Sequence, residues 1–144
     1  MPIAHAMWIH GHSLRVEYPD RMDDAIRKGS RIQLDGKANS SNWFHMAIPT
    51  PVIVEDNNLR IDSVMLRFRT SGAAVTKVNV YDGENEIASH HGLSLNPEDW
   101  AFERFDVPGH PGFRWGIGIS FKGEFGSRGT RRIEVSSGGG DFLP

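Results

Sequence analysis

The fold class of this chain is decided by one stretch of sequence, Phe113-Arg114-Trp115-Gly116-Ile117-Gly118-Ile119-Ser120-Phe121. Every odd-numbered residue in this stretch is large and apolar, whereas every even-numbered residue is small or polar. Alternation with a period of two is typical of a β-strand that buries one face. We therefore predict a strand over residues 113–121, with Gly116 and Gly118 on the face opposite the core.

A second strand is predicted over Val64–Arg69, where the even-numbered residues are apolar and are expected to face the core. Just before it, Leu59 and Ile61 are apolar at odd-numbered positions, so the phase of the pattern changes. A β-bulge inserts one extra residue into a strand and produces such a change. We therefore predict a bulge near Asp62-Ser63.

Turn residues recur at short intervals, as expected for a chain with 16 glycines and 8 prolines. The clearest turn is Asp82-Gly83, which predicts a hairpin between Val75–Tyr81 and Glu86–Ser89. Weaker strand candidates are Arg31–Leu34, Asn42–Ile48, Ala101–Val107 and Arg131–Val135. These patterns predict a single domain over residues 1–144, an all-β, jelly-roll-like sandwich of about eight to ten strands with at most one short helix.

Two segments leave alternatives open. Pro19–Gly29 has a capping aspartate, early acids, late bases and a terminal glycine, so it is either a short helix or a polar crossover loop. Ser136–Gly140 is flexible in composition. Phe142 and Leu143, which follow it, are expected to pack either on the body of the protein or on a neighbouring subunit.

The composition gives expectations about binding partners and about the cellular compartment. A formal net charge of −2 gives no reason to expect nucleic-acid binding, which depends mainly on neutralising phosphates. The chain has no cysteine, and no apolar run approaches the length of a membrane span. We expect a cytoplasmic protein that binds neither nucleic acid nor membrane.

The N-terminal segment Trp8–Tyr18 contains a candidate metal site. Read as a continuous strand, it places His10 and His12 on one face beside Trp8. With Glu17, the two histidines resemble the first metal-binding motif of cupins, although the flanking glycines of that motif are absent. A divalent transition metal would need a third ligand from another strand, with His45 first and His91 next. Otherwise the histidines are structural and bond to the backbone.

A candidate ligand site lies in Ser40–Pro51, where Asn42, Trp43 and His45 stand close together. An indole stacks on the apolar face of a sugar ring, while amide and imidazole groups bond to hydroxyls. This composition favours a carbohydrate-like ligand. The alternative is an ordinary strand whose aromatic side chains fill the core.

A second candidate surface combines Gly116 and Gly118 with Arg114, Arg67 and Arg69, which are all expected to face outward. Glycines within a strand leave bare backbone that another chain or ligand can approach. Such a surface would accept an acidic partner or a second subunit. The alternative is a solvated sheet face.

Five segments together resemble a family of small uncharacterised bacterial proteins of about this length: Met7–His12, Ser41–Val54, Val64–Thr70, Val78–Gly83 and Trp115–Ser120. The resemblance implies an all-β fold and no known activity. The sequence contains no complete catalytic set. We expect a non-catalytic, cofactor-free binding or assembly module that forms homo-oligomers and binds a carbohydrate or another small polar ligand. The alternative is a small cupin-like enzyme that holds its metal with His10, His12 and His45.

Overall fold

The computed structural model describes residues 2–144, which are mostly β-strand. In chain order the strands are β1 (His5–His10), β2 (Arg15–Val16), β3 (Met22–Lys28), β4 (Arg31–Gly36), β5 (Ser41–Ala47), β6 (Ile53–Val54), β7 (Asn57–Asn58), β8 (Arg60–Ser71), β9 (Ala73–Asp82), β10 (Asn85–His90), β11 (Ala101–Asp106), β12 (Ile117–Phe125) and β13 (Arg132–Leu143). Two turns of 3-10 helix accompany them, at Gly11–Ser13 and Pro19–Arg21. Within residues 2–144, no helix has the length and apolar character needed to cross a membrane.

The strands pair antiparallel in two main sheets. The six-stranded sheet has the order β11-β8-β13-β4-β3, with β1 also paired to β13, and the five-stranded sheet has the order β10-β9-β12-β5-β2. β6 and β7 form a separate small hairpin. The two sheets pack face to face. Their close approach is seen at Gly123 of β12, where an added Cβ would lie 2.6 Å from Cδ1 of Ile133 in β13. The architecture confirms the predicted all-β sandwich.

The core lies between the two sheets and is filled by fully buried side chains from both. The five-stranded sheet contributes Phe44 and Phe121, whose ring centroids are 5.3 Å apart. The six-stranded sheet contributes Phe68 and Phe142, the latter packed edge-on against Phe113. Each sheet therefore has one apolar face toward the core and one outer face that is available for other contacts.

The predictions for β8 and for the β9–β10 hairpin are confirmed. The even-numbered apolar residues of β8 are buried. Its register against β13 shifts so that Ser63 and Ile61 pair with consecutive residues, which leaves Asp62 as the extra residue of the predicted bulge. β9 and β10 are joined by the predicted turn, where Gly83 has a φ of 57°.

The strand predicted over residues 113–121 is correct only in its second half. β12 begins at Ile117, and its apolar residues are buried as expected. Residues before it form an irregular loop in which Trp115 is 70% exposed. The loop departs from strand geometry because Gly116 has a φ of 126° and because the carboxylate of Asp82 accepts the backbone N–H groups of Trp115 and Gly116.

The continuous strand predicted over Trp8–Tyr18 is wrong. β1 ends at His10, and a 3-10 turn takes the chain from the six-stranded sheet to β2 in the five-stranded sheet. The crossing is close-packed, since a Cβ added to Gly11 would lie 2.1 Å from the carbonyl oxygen of Val135. In β1 the outward residues include Trp8 and His10, while the intervening Ile9 packs against the core.

The segment Pro19–Gly29 is neither a helix nor a loop. After one 3-10 turn it continues as β3, an edge strand that is paired only to β4. Its residues after Met22 are exposed, which suits a strand at the edge of a sheet. Pairing with a neighbouring strand has overridden the local helix-capping signal.

The predicted flexibility of Ser136–Gly140 is also wrong, because these residues lie within β13. Between β8 and β1, the chain passes so close to its neighbours that a Cβ on Gly139 would lie 2.8 Å from the Trp8 ring. The glycines are thus required by packing rather than by flexibility. Phe142 and Leu143 are buried on the body of the protein, which was one of the two predicted alternatives.

Candidate functional site

The outer face of the five-stranded sheet carries a shallow depression of about 370 Å³, which we call the Trp43 groove. Its lining residues are Glu17, Trp43, His45, Asn79, Tyr81, Gly83, Glu84 and Ser120. They come from β5, β9 and β12 and from the segments that follow β2 and β9. The groove is therefore built mainly on paired strands, which hold side chains more rigidly than loops do.

The alternation of each strand explains why these side chains point into the groove. In β5, Phe44 and Met46 fill the core, so Trp43 and His45 project outward. In β9, Val78 and Val80 are buried, which places Lys77, Asn79 and Tyr81 on the same outer face. The Nζ of Lys77 lies 5.9 Å from the centroid of the Trp43 ring.

A row of polar side chains crosses the floor of the groove from strand to strand. Ser89, Asn79, Ser120 and His45 are successive cross-strand partners on β10, β9, β12 and β5, and we call them the polar row. Ser89 Oγ donates to Asn79 Oδ1 over 2.9 Å, and Ser120 Oγ lies 2.7 Å from Nδ1 of His45. The Nδ2 of Asn79 makes only a long, 3.5 Å contact with the hydroxyl of Tyr81.

Glu17 extends the polar row at its β5 end. Its Oε1 lies 2.8 Å from Nε2 of His45. Hydrogen bonds from the Tyr18 hydroxyl and, next in size, from His45 lower the pKa of Glu17, and the bond to Glu17 raises the pKa of Tyr18. Glu17 is thus a carboxylate at neutral pH and can only accept hydrogen bonds. In neutral His45, Nε2 then carries the proton and Nδ1 accepts from Ser120.

Ser120, His45 and Glu17 form a hydroxyl–imidazole–carboxylate chain like that of a serine hydrolase. Hydrolysis also needs free N–H groups close to the serine to stabilise the oxyanion. Ser120 instead lies within β12 where that strand is paired on both sides, to β5 and to β9, so the nearby backbone groups are used by the sheet. The arrangement favours hydrogen bonding to a ligand over acyl transfer.

Asn42, which sequence reasoning grouped with Trp43 and His45, lies on the opposite side of β5. Its side chain is buried, and its amide donates to the carbonyl of Tyr18 over 2.8 Å. Its Oδ1 accepts from the backbone N–H groups of Tyr18 and Trp43. The side-chain amide of Asn42 therefore bonds to the backbone of Tyr18 and Trp43, and Asn42 does not line the Trp43 groove.

The glycine strip edged by arginines is wrong as a single surface. Gly118 lies on the five-stranded sheet, whereas Arg67 and Arg69 lie on the outer face of the six-stranded sheet. There both guanidinium groups lie over the ring of Trp100, and Arg69 also bonds to Glu134. Arg114 lies in the loop before β12, where its side chain is exposed and its backbone N–H bonds to Asp82.

The three histidines proposed as metal ligands do not converge. His45 lies in the Trp43 groove, whereas His10 and His12 lie at the end of β1 and in the 3-10 turn that follows it. His12 N–H donates to Nδ1 of His10 over 3.1 Å, and the His12 ring bonds to the carbonyl of Lys28. No set of three or more His, Asp or Glu side chains in residues 2–144 is placed to hold a metal ion. The cupin-like site is contradicted, and the backbone bonds predicted as its alternative are present.

Sequence reasoning missed Ser120, Asn79 and Tyr81 as groove residues. A signal was available in the alternation of β9, where buried Val78 and Val80 flank the outward Asn79. The same alternation in β5 places Trp43 and His45 outward. The cross-strand register that brings Asn79 and Ser120 beside His45 is not visible in the sequence.

Comparisons with known proteins agree with this fold. The chain matches the DUF6623 family, described as a family of unknown function, over residues 1–140. No curated protein matches the sequence. Among solved structures, the chain resembles the low-affinity xylan-binding module CBM86 from the gut symbiont Roseburia intestinalis, with a TM-score of 0.62 and 12% identity over 96% of each chain.

Carbohydrate-binding modules of family 29 are also similar. One variant of CBM29-2 has a TM-score of 0.52 and 13% identity over 95% of this chain and 93% of its own. Another, solved with cellohexaose, has a TM-score of 0.50 and 13% identity over 96% and 92%. At these identities the likeness shows a shared β-sandwich fold.

Proposed function

Since the chain belongs to the DUF6623 family of unknown function, its activity has to be inferred from its geometry, and we propose that it is a non-catalytic module that binds carbohydrate in the Trp43 groove. The observation that carries this proposal is the position of the half-buried, outward-facing indole of Trp43 beside a row of hydroxyl, amide and imidazole groups. Sugars are amphipathic in the same way, with apolar ring faces and polar edges.

The chemistry of the groove fits a neutral sugar. The Trp43 ring offers a flat apolar surface for stacking. The polar row and Glu17 offer both donors and acceptors, which a sugar hydroxyl can use at the same time. Because Glu17 already bonds to His45 and Tyr18, these groups are held in place before a ligand arrives, which lowers the entropic cost of binding.

Two further facts support the proposal. Solved structures with the same fold include a xylan-binding module and a family 29 module bound to cellohexaose. The groove is also shallow and open, which suits a polymer lying across a sheet better than a small molecule enclosed in a cavity.

Binding to a glycan array, followed by calorimetry with the polysaccharides that score, tests the proposal. The Trp43→Ala variant is expected to lose at least about tenfold in affinity, because an aromatic stacking surface contributes roughly 1.5–3 kcal/mol. The matched control is Trp8→Ala, since Trp8 is an exposed tryptophan (43%) on the opposite sheet. This control is expected to bind like the unmodified protein.

Two results would overturn the proposal. One is the absence of binding to any glycan on the array. The other is a loss of binding in Trp8→Ala that Trp43→Ala does not show, which would move the site to the six-stranded sheet. Self-association stays a prediction, and light scattering of the purified chain in solution tests it.

A further inference from the structure

We propose that the binding surface continues past the Trp43 groove to Trp115, and that it accommodates a linear β-1,4-linked oligosaccharide several sugar rings long. This inference rests on the proposed function and names the ligand class of the same face. Trp115 is the most exposed large apolar side chain in residues 2–144, at 70%.

Trp115 is exposed on a loop that is held firmly in place. Asp82 Oδ1 accepts the N–H groups of Trp115 and Gly116 over 2.8 and 3.2 Å, and its Oδ2 accepts that of Arg114 over 3.1 Å. Asp82 itself is only 9% exposed. A carboxylate that accepts several backbone N–H groups makes strong, charge-assisted bonds. The backbone that carries the exposed indole is therefore held in place, and the exposure of Trp115 does not result from a loose loop.

The other end of the loop is fixed as well. The N–H of Ile117 donates to Oγ1 of Thr50 over 2.9 Å, and that hydroxyl donates to the carbonyl of Ile48 over 2.6 Å. The carbonyl of Gly116 accepts from the N–H of Gly83 over 2.9 Å. Hydrogen bonds at both ends of the loop thus hold the backbone of Trp115 in place, as the supporting contacts of a preorganised ligand site do.

The two tryptophans lie in neighbouring depressions that meet at Gly83. A second depression, of about 480 Å³, is lined by Trp115, Gly116, Gly118, Ala47 and Thr50 among others, and Gly83 lines both this depression and the Trp43 groove. Gly118 pairs with Tyr81 on one side and Ala47 on the other. No atom lies within 4 Å of the position a Cβ would take on Gly118, so the floor there is open.

The length of the surface decides the class of ligand. Trp43 pairs with Lys122 of β12. The loop that carries Trp115 ends where β12 begins, at Ile117, which is five residues before Lys122. At the rise of an extended strand, five residues span about 17 Å. One monosaccharide cannot reach both tryptophans, whereas a short, straight oligosaccharide can. A β-1,4-linked chain is straight and presents its ring faces to a surface, which suits an open floor with an aromatic ring toward each end.

Calorimetry with xylo- and cello-oligosaccharides, from disaccharide to hexasaccharide, tests this inference. The unmodified chain is expected to bind hexasaccharide at least about tenfold more tightly than disaccharide, the gain expected from one added aromatic stacking contact. Trp115→Ala should remove most of this gain and leave disaccharide affinity unchanged. Gly118→Leu, which places a side chain in open space, should also remove the gain while keeping the melting temperature.

Equal affinity for disaccharide and hexasaccharide would overturn the inference, as would an equal loss for both in Trp115→Ala. Binding to array glycans but to neither oligosaccharide series would overturn it and leave the proposed function standing. Binding to no glycan at all would overturn both. Trp115 lies in an exposed loop, and its removal is not expected to unfold the protein; circular dichroism of the variant checks this directly.

Discussion

Asn42 holds the backbone of Tyr18 through both ends of its side-chain amide. Nδ2 donates to the carbonyl of Tyr18 over 2.8 Å, and Oδ1 accepts from its N–H over 3.0 Å. This pairing mimics a step of a β-ladder at the point where β2 ends. It places Glu17, the preceding residue, within reach of His45, so a buried side chain on the core face of β5 shapes the groove on the outer face.

Removing this clamp is expected to destabilise the fold. Asn42→Ala deletes the three bonds that the amide makes to Tyr18 and Trp43 and leaves backbone groups without those partners. We expect a loss of about 1–3 kcal/mol in the free energy of unfolding, measured by urea denaturation. In Asn57→Ala the side chain lost is exposed and bonds only to the carbonyl of Glu55. This control should change stability by less than about 0.5 kcal/mol. Equal stability in the two variants would show that Asn42 is not a clamp.

The carboxyl of Glu17 is expected to titrate below the ordinary value of 4.5. The hydrogen bond from Tyr18 contributes most to lowering this pKa, followed by that from His45. Tyr18→Phe should therefore raise the Glu17 pKa more than His45→Asn does, as followed by carbon-13 NMR of the Glu17 side chain. A pKa that does not move in Tyr18→Phe would contradict this origin.

The lowered pKa of Glu17 also determines how its contribution to stability changes with pH. The folded state binds the Glu17 proton less tightly than the unfolded state does, so the stabilisation is present above pH 4.5 and is lost as the pH falls through the folded-state pKa. Because Glu17 is exposed and screened by solvent, this contribution to the free energy of unfolding is small. The NMR titration is therefore the sensitive measurement.

Much of the fold was predictable because alternation is a local property. The buried face of β8, the Asp62 bulge and the Asp82-Gly83 turn depend on neighbouring residues only. The loop before β12 depends instead on the Asp82 carboxylate, which comes from another strand and captures N–H groups that would otherwise join a ladder. No pattern within residues 113–121 carries that information.

In the candidate site, too, the residues marked by local sequence were predictable and those placed by long-range pairing were not. Trp43 and His45 stand out because aromatic and polar residues are concentrated in β5. Ser120 joins them only through the register between β12 and β5, which is a long-range property. The glycines of β13 were predicted wrongly because composition alone does not show packing. Their composition is that of a flexible linker, but the space beside them is filled by side chains such as that of Trp8.

Acid is expected to weaken the six-stranded sheet through Glu134. Burial alone would raise the pKa of this carboxyl, but hydrogen bonds from Arg31 and Arg69 outweigh burial and lower it. Its stabilisation is therefore present above the ordinary value of 4.5 and is lost as the pH falls through the lower folded-state pKa. Glu134→Gln should cost about 1–3 kcal/mol at pH 7, and this cost should shrink in acid.

Chemical denaturation of the Glu134 variant at pH 7 and at several acidic values measures this effect. Glu86→Gln is the matched control, because Glu86 is exposed on β10 of the other sheet. The control should follow the unmodified protein at every pH. A cost for Glu134→Gln that stays constant down to acidic pH would show that the charge is not responsible.

The crossing at Gly11 is expected to tolerate no side chain. A Cβ there would lie 2.1 Å from the carbonyl oxygen and 2.9 Å from the carbonyl carbon of Val135, and both are backbone atoms of a central strand that cannot move aside without breaking the sheet. Gly11→Ala should therefore destabilise the protein by at least about 1–3 kcal/mol, as overpacking with backbone displacement does.

The comparison with Gly29→Ala isolates this steric cause. Gly29 lies between β3 and β4, and nothing lies within 4 Å of the position its Cβ would take. Its replacement should change the free energy of unfolding by less than about 0.5 kcal/mol, since both variants make the same chemical change. Thermal melts followed by circular dichroism distinguish them, and coincident melts would refute the close approach. Because the Gly11 turn also carries the chain to β2, a displaced turn should loosen the contact between Glu17 and His45 and weaken glycan binding even in molecules that remain folded.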